Sequence, residues 1–148
     1  MISCYQPLVV LDHILRNNES ARSLYVRQWI RYSQPGGPDF VKAHNNLGNA
    51  LMELGQLDEA AKSYKSALKL KPDFVEAINN LGITFYKLHL LDDAMNFYER
   101  ALGFNPDFAD AHNNIGTVLL ARGQLDEAVK SYKAALKLKP EFAEPYYN

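Results

Sequence analysis

The sequence contains a unit that recurs every 34 residues. A proline, an acidic residue and a phenylalanine open each unit, and a glycine, an alanine and a tyrosine follow at fixed spacing. These residues are Pro38-Asp39-Phe40, Pro72-Asp73-Phe74, Pro106-Asp107-Phe108 and Pro140-Glu141-Phe142; Gly48, Gly82 and Gly116; Ala60, Ala94 and Ala128; and Tyr64, Tyr98 and Tyr132. A fixed period of this length indicates a repeat protein whose units pack on one another. Such arrays usually present a surface to a partner and rarely catalyse a reaction.

Composition and charge narrow the class of protein. The 148 residues carry a formal net charge of −1 at pH 7, which favours neither nucleic acid nor a membrane surface as a partner. The single cysteine, Cys4, has no second cysteine with which to form an internal disulfide. The apolar stretch Leu8–Leu11 is far shorter than the ~20 residues that span a bilayer. We therefore expect a soluble, cytoplasmic protein that requires no cofactor.

Each unit predicts two antiparallel helices. In the unit 72–105, apolar and small residues recur with helical spacing over 74–87 and again over 91–102. Asp73 is expected to cap the first helix, with Glu76 three residues later as in a capping box. The glycine and alanine positions that all units share are expected to let the two helices pack closely.

The turn between the two helices differs among units. The first and third units carry Gly55 and Gly123, which are expected to end their helices in the left-handed conformation. The second unit has His89 there, and a residue with a side chain adopts this conformation at a cost of about 1 kcal/mol. Arg100 is expected near the end of the second helix, where the helix dipole favours a positive charge.

These residues resemble the tetratricopeptide repeat (TPR). The third unit matches signature positions of that family with Ile115, Gly116, Leu119, Ala128, Tyr132, Ala135 and Pro140. The position where the family often has tryptophan holds His44, Ile78 and His112. The resemblance implies an all-α fold, a TPR superhelix or α-solenoid built from antiparallel helix hairpins. It predicts three full repeats, 38–71, 72–105 and 106–139, and a truncated fourth, 140–148.

Residues 1–37 do not follow the repeat. Their apolar spacing predicts two short helices, Leu8–Leu15 and Ser20–Tyr32, before a proline and two glycines end the segment. We interpret this part as an atypical cap or a separate segment that precedes the repeat array at 38–148.

Two phrases resemble the TPR arm of O-linked N-acetylglucosamine transferase and its bacterial and plant relatives. Residues 43–48 read Ala-His-Asn-Asn-Leu-Gly, and residues 123–128 read Gly-Gln-Leu-Asp-Glu-Ala. This resemblance gives an alternative function, the acceptor-selecting arm of a glycosyltransferase whose catalytic domain this sequence lacks. A third alternative is a scaffold that associates with itself through an open C-terminal end near Tyr146 and Tyr147.

Asparagines mark the candidate binding surface. One repeat position holds Asn46, Asn80, Asn114 and Asn148, and the position before it holds Asn45, Asn79 and Asn113. In the transferase family, asparagines at the position of Asn46 line a concave groove and hold an extended peptide by its backbone. A carboxamide offers the donor and acceptor that complement a peptide unit, and stacked helices ~10 Å apart match about three extended residues. We predict an extended peptide or partner protein in this groove; the alternative is solvated helix residues.

The resemblance also implies acidic groove positions at Glu76, Asp110 and Glu144, although acids in the first turn of a helix are equally expected from the helix dipole. A different TPR class grips the C-terminal carboxylates of heat-shock chaperones with basic groove residues. The corresponding positions here hold Asn45, Asn49, Asn80, Asp110 and Asn114. Because no lysine or arginine stands at them and Asp110 would repel a carboxylate, we do not expect that function.

No metal site is predicted. His44 and His112 are two units apart, about 20 Å by helix packing distances, whereas metal ligands lie ~2 Å from one ion. We interpret these histidines, and the tyrosines of the repeat, as core residues. A solvated outer face is predicted for Lys62, Lys65, Lys69, Lys130, Lys133 and Lys137.

Overall fold

The computed structural model describes residues 38–140, which contain six α-helices and no strand. The helices are α1 (Pro38–Glu53), α2 (Leu57–Leu70), α3 (Val75–Lys87), α4 (Leu91–Phe104), α5 (Ala109–Ala121) and α6 (Leu125–Leu138). Short turns join them in pairs, which confirms the predicted all-α hairpins. The predicted helices within residues 1–37 and the fourth unit from residue 141 onward lie outside the described residues.

The described residues divide into two compact units between Ala67 and Leu68. The first contains α1 and most of α2. In the second, α3 packs on α4, α5 packs on α6, and α5 also contacts α3 and α4. No helix within the described residues is both long and apolar enough to cross a membrane.

Prolines determine where the second helix of each hairpin ends. A proline disfavours helical backbone in the residue before it. Accordingly, α2, α4 and α6 each end two residues before a proline, at Leu70, Phe104 and Leu138. Pro38 is instead the first residue of α1, a position where the N–H that proline lacks is not needed.

The predicted capping box at Asp73 is wrong. The N-cap of α3 is Phe74, whose backbone is extended (φ −76°, ψ 90°), and no side chain caps the helix. Asp73 lies one residue earlier, in the turn with Pro72. Glu76 remains in the first turn of α3, where its charge favours the helix dipole.

Arg100 also differs from its prediction. Because α4 continues to Phe104, Arg100 is not in the last turn of the helix. Its guanidinium instead donates a hydrogen bond to the carbonyl oxygen of Pro72 at 2.9 Å and lies 5.9 Å from the ring centroid of Phe104. The side chain therefore ties α4 to the turn that precedes α3.

The three turns within the hairpins share one geometry. Gly55, His89 and Gly123 are left-handed, with φ of 72°, 61° and 75°. In the second hairpin, the N–H of His89 donates to the Tyr86 carbonyl at 3.0 Å and the N–H of Leu90 donates to the Phe85 carbonyl at 2.9 Å. The same pair of bonds closes the other two turns, as in a Schellman motif. The predicted left-handed turns, including the strained one at His89, are confirmed.

His89→Gly is expected to stabilise the chain by about 1 kcal/mol, because glycine removes the Cβ penalty of the left-handed conformation. Urea unfolding followed by circular dichroism measures the change. Gly123→Ala is the matched control, because a Cβ at Gly123 has open space around it. This variant is expected to lose about 1 kcal/mol of stability, which measures the cost of the left-handed backbone alone. An unchanged or lower unfolding midpoint for His89→Gly would contradict this account.

A glycine on the first helix of each hairpin packs against a tyrosine on the second. A Cβ built on Gly82 would lie 2.6 Å from Cε1 of Tyr98, and one on Gly116 would lie 2.7 Å from Cε1 of Tyr132. Gly48 meets the ring of Tyr64 in the same way. These distances are too short for a real methyl group, so the predicted close packing of the two helices is confirmed and requires glycine.

The last hairpin is less buried than the one before it. Tyr64 and Tyr98 are buried, as predicted, whereas Tyr132 is only half-buried. Val129 is 49% exposed, although Met95, one period earlier, is 9% exposed. The difference arises because α5 packs on α4, while no helix follows α6 within the described residues.

Gly82→Ala is expected to destabilise the chain by about 1–3 kcal/mol, because the new methyl group overlaps the Tyr98 ring. Gly103→Ala is the control, since it lies within α4 with nothing near a new Cβ, and it should stabilise by about 0.5–1 kcal/mol. Thermal and urea unfolding of both variants test the pair. Equal effects of the two substitutions would show that the glycine–tyrosine contact does not limit the packing.

Candidate functional site

The two asparagines that stand side by side in the first and second repeats have different environments. On α1, Asn45 is 7% exposed, whereas Asn46 is exposed. On α3, Asn79 is 5% exposed and Asn80 is half-buried. Because an α-helix turns by about 100° per residue, one side chain of each of these two pairs points inward while the next reaches the surface. Asn46 and Asn80 are therefore the members that a ligand can contact directly.

The third asparagine pair is linked to the second. Asn113 and Asn114 are both half-buried on α5. The Nδ2 of Asn114 donates a hydrogen bond to Oδ1 of Asn79 at 3.0 Å, which joins α5 to α3. Asn113 borders a depression of about 210 Å³ that is also lined by Tyr132, Ala135 and Leu136. Asn148, the fourth member of the predicted series, lies outside the described residues.

Asn49 is engaged within its own hairpin. Its Oδ1 accepts a hydrogen bond of 2.7 Å from the hydroxyl of Tyr64. In the third unit, Oγ1 of Thr117 accepts the equivalent bond from Tyr132 at 3.2 Å. Burial raises the pKa of Tyr64, and the nearby carboxylate of Glu53 raises it further. The Tyr64 hydroxyl therefore stays neutral and remains a hydrogen-bond donor. Its bond to Asn49 stabilises the hairpin independently of any ligand.

Asn49→Ala is expected to cost about 1 kcal/mol of stability, because the Tyr64 hydroxyl loses its acceptor. Asn49→Thr should lose less, since threonine accepts the equivalent bond in the third unit. Asn46→Ala, at an exposed position on the same helix, is the control and should change stability by less than about 0.5 kcal/mol. Urea unfolding compares the three variants. Identical unfolding midpoints would show that Asn49 does not stabilise the hairpin in this way.

The acidic candidates differ in their charge environment. Glu76 is exposed on α3. Asp110 is half-buried on α5, and its Oδ2 lies 3.3 Å from Nζ of Lys139. A lysine 29 residues away in the sequence therefore offsets part of the negative charge of Asp110. Glu144 lies outside the described residues.

His44 and His112, which were interpreted as core residues, are half-buried, and each has a contact of its own. His44 packs edge-on against Phe40, with ring centroids 4.7 Å apart, and burial lowers its pKa. Nε2 of His112 lies 2.9 Å from the carbonyl oxygen of Pro106. Within residues 38–140, no group of three or more histidine, cysteine or acidic side chains is arranged to hold a metal ion.

The six lysines that were predicted to be solvated are exposed: Lys62, Lys65, Lys69, Lys130, Lys133 and Lys137. They lie on α2 and α6, the second helices of their hairpins. The asparagines instead lie on the first helices of the hairpins.

Known repeat families match this chain. The TPR repeat family matches residues 48–88 and 116–148, which is half of the chain. Tetratricopeptide repeat families also match residues 97–130 and 75–104. A search of curated proteins gives no match.

Solved structures share the fold. A crystal structure of MamA has a TM-score of 0.65 at 23% identity and covers 89% of this chain and 86% of that one. Another MamA structure has a TM-score of 0.61 at 27% identity; it covers 73% of this chain, which spans 59% of that protein. The first TPR of Spaghetti (RPAP3), bound to the HSP90 peptide SRMEEVD, has a TM-score of 0.65 at 24% identity. It covers 68% of this chain and 79% of that one. None of these three structures is named as a glycosyltransferase, so the likeness to the transferase arm stays a prediction from the sequence.

Proposed function

The chain belongs to the tetratricopeptide-repeat family, and we propose that it is a non-catalytic protein-interaction module that binds an extended peptide by its backbone. Within the second compact unit, the proposed binding residues are Asn80 on α3, in the second repeat, and Asn114 on α5, in the third repeat. The observation that carries the proposal is that these carboxamides reach the surface of the first helices, while the neighbouring Asn79 is buried.

The chemistry of the carboxamide supports a backbone ligand. Each asparagine side chain offers one acceptor oxygen and an amide donor, which complement the N–H and C=O of a peptide unit. Adjacent packed helices lie about 10 Å apart, and an extended peptide covers that distance in about three residues. The peptide bound to the TPR of Spaghetti supports the same class of partner.

The charges near Asn114 favour binding that depends little on salt. Asp110 lies four residues before Asn114, hence on the same face of α5, and is paired with Lys139. Neutral hydrogen bonds to a peptide backbone are screened far less than contacts between opposite charges. An acidic peptide such as SRMEEVD is therefore expected to bind no better than a neutral peptide of the same length.

A direct test uses peptides of about 12 residues selected on the wild-type chain from a random library, labelled for fluorescence anisotropy. Asn80→Ala and Asn114→Ala should each weaken binding by about 0.5–1.5 kcal/mol while circular dichroism stays unchanged. The affinity of the wild type should change by less than about twofold between roughly 0.05 and 0.3 M salt. Asn46→Ala tests the equivalent position in the first unit separately.

Lys133→Ala is the matched control, because Lys133 is exposed on α6 in the same unit, and it should leave the affinity unchanged. Wild-type affinity in a folded Asn80→Ala, Asn114→Ala double variant would rule out the proposed site. Sedimentation of the unliganded chain, run over a range of concentrations, tests the alternative of a self-associating scaffold.

A further inference from the structure

We propose that Asn79 is a positioning residue: its buried carboxamide oxygen fixes the side chain of Asn114 in the orientation that receives a peptide unit. The inference rests on the proposed function, because Asn114 is one of the two binding residues proposed on α3 and α5. It assigns a role to the one asparagine of α3 that a ligand cannot reach, since Asn79 is only 5% exposed.

The geometry is a single hydrogen bond between two helices. The Nδ2 of Asn114 on α5 donates to Oδ1 of Asn79 on α3 at 3.0 Å. Every buried side-chain nitrogen and oxygen in the described residues has a hydrogen-bond partner. A buried acceptor that loses its donor is costly, so Asn79 strongly favours the conformation in which Asn114 turns its amide nitrogen towards α3.

This contact decides which atoms Asn114 offers. The terminal torsion of an asparagine side chain is broad, so an isolated surface asparagine presents its oxygen and nitrogen in many directions. With one Nδ2 hydrogen directed to Asn79, Asn114 retains Oδ1 and its second Nδ2 hydrogen, one acceptor and one donor. A side chain that is already ordered loses less rotamer freedom when a ligand binds, and this raises affinity without a new contact.

The role of Asn79 is separable from general packing. Asn79→Leu keeps a similar volume and removes the acceptor, whereas Asn79→Asp keeps an acceptor oxygen and removes the amide donor. A positioning residue requires the acceptor, so Asn79→Asp should keep the ordering of the Asn114 side chain that Asn79→Leu loses. If Asn79→Leu does not fold, Asn79→Ala removes the same acceptor and carries the same test.

The first measurement needs no ligand. In two-dimensional 1H–15N spectra of the full chain, the side-chain amide of Asn114 is assigned by its disappearance in Asn114→Ala. Its Nδ2 protons should exchange with solvent about tenfold more slowly in the wild type and in Asn79→Asp than in Asn79→Leu, the factor expected for a hydrogen bond of about 1.4 kcal/mol. Equal exchange rates in all three proteins would overturn the proposal.

The second measurement is a double-variant cycle with the library-selected peptide used above. Asn79→Leu should weaken binding of that peptide about threefold to tenfold, and Asn79→Asp should stay within about twofold of the wild type. In an Asn114→Ala background, Asn79→Leu should have no further effect, because it acts through Asn114. An equal loss in both backgrounds would show a merely structural role and overturn the proposal.

The two measurements separate this inference from the proposed function. If Asn114→Ala binds the peptide with wild-type affinity, the proposed binding site is wrong. The exchange measurement still decides whether Asn79 orders Asn114.

Discussion

The contact between a glycine on the first helix and a tyrosine ring on the second fixes the packing of each hairpin. At Gly82 a methyl group would lie 2.6 Å from the Tyr98 ring, so the aromatic edge rests directly on the helix backbone. Burying a tyrosine removes a large apolar area from water, and Tyr98 is only 2% exposed. The rotation of the first helix about its axis follows from this contact, and with it the side chains that point inward or outward.

The position of each asparagine follows from that rotation. In the first and third hairpins, the residue after the glycine accepts a hydrogen bond from the tyrosine hydroxyl, at 2.7 Å for Asn49 and 3.2 Å for Thr117. The asparagine three residues before the glycine turns inward at Asn45 and Asn79, and the next one is more exposed. The same residue type therefore serves three purposes on one helix: a hydrogen bond within the hairpin, a buried polar contact and a surface carboxamide.

Most features that depend on local spacing were predicted from the sequence, and contacts between distant residues were not. The hairpins, the glycine packing and the left-handed His89 follow from residues within one repeat, and the period follows from their recurrence along the chain. The capping box at Asp73 failed because the helix begins one residue later than its pattern suggested. The partners of Arg100 and Asp110 lie 28 and 29 residues away, and no motif in the sequence marks such pairs. Two adjacent asparagines also cannot be told apart by type, so the burial of Asn79 required the structure.

The bond from Asn114 to Asn79 spans 35 residues, one more than the repeat period. It therefore joins the outward position of one first helix to the inward position of the preceding one. The proposed binding surface therefore belongs to the stacking of two repeats rather than to either repeat alone. In repeat proteins, stability is approximately the sum of unit and interface terms. A substitution that shifts α5 on α3 should consequently change the orientation of Asn114, and so couple the stability of the array to its affinity for a peptide, even where the substituted residue never touches the ligand.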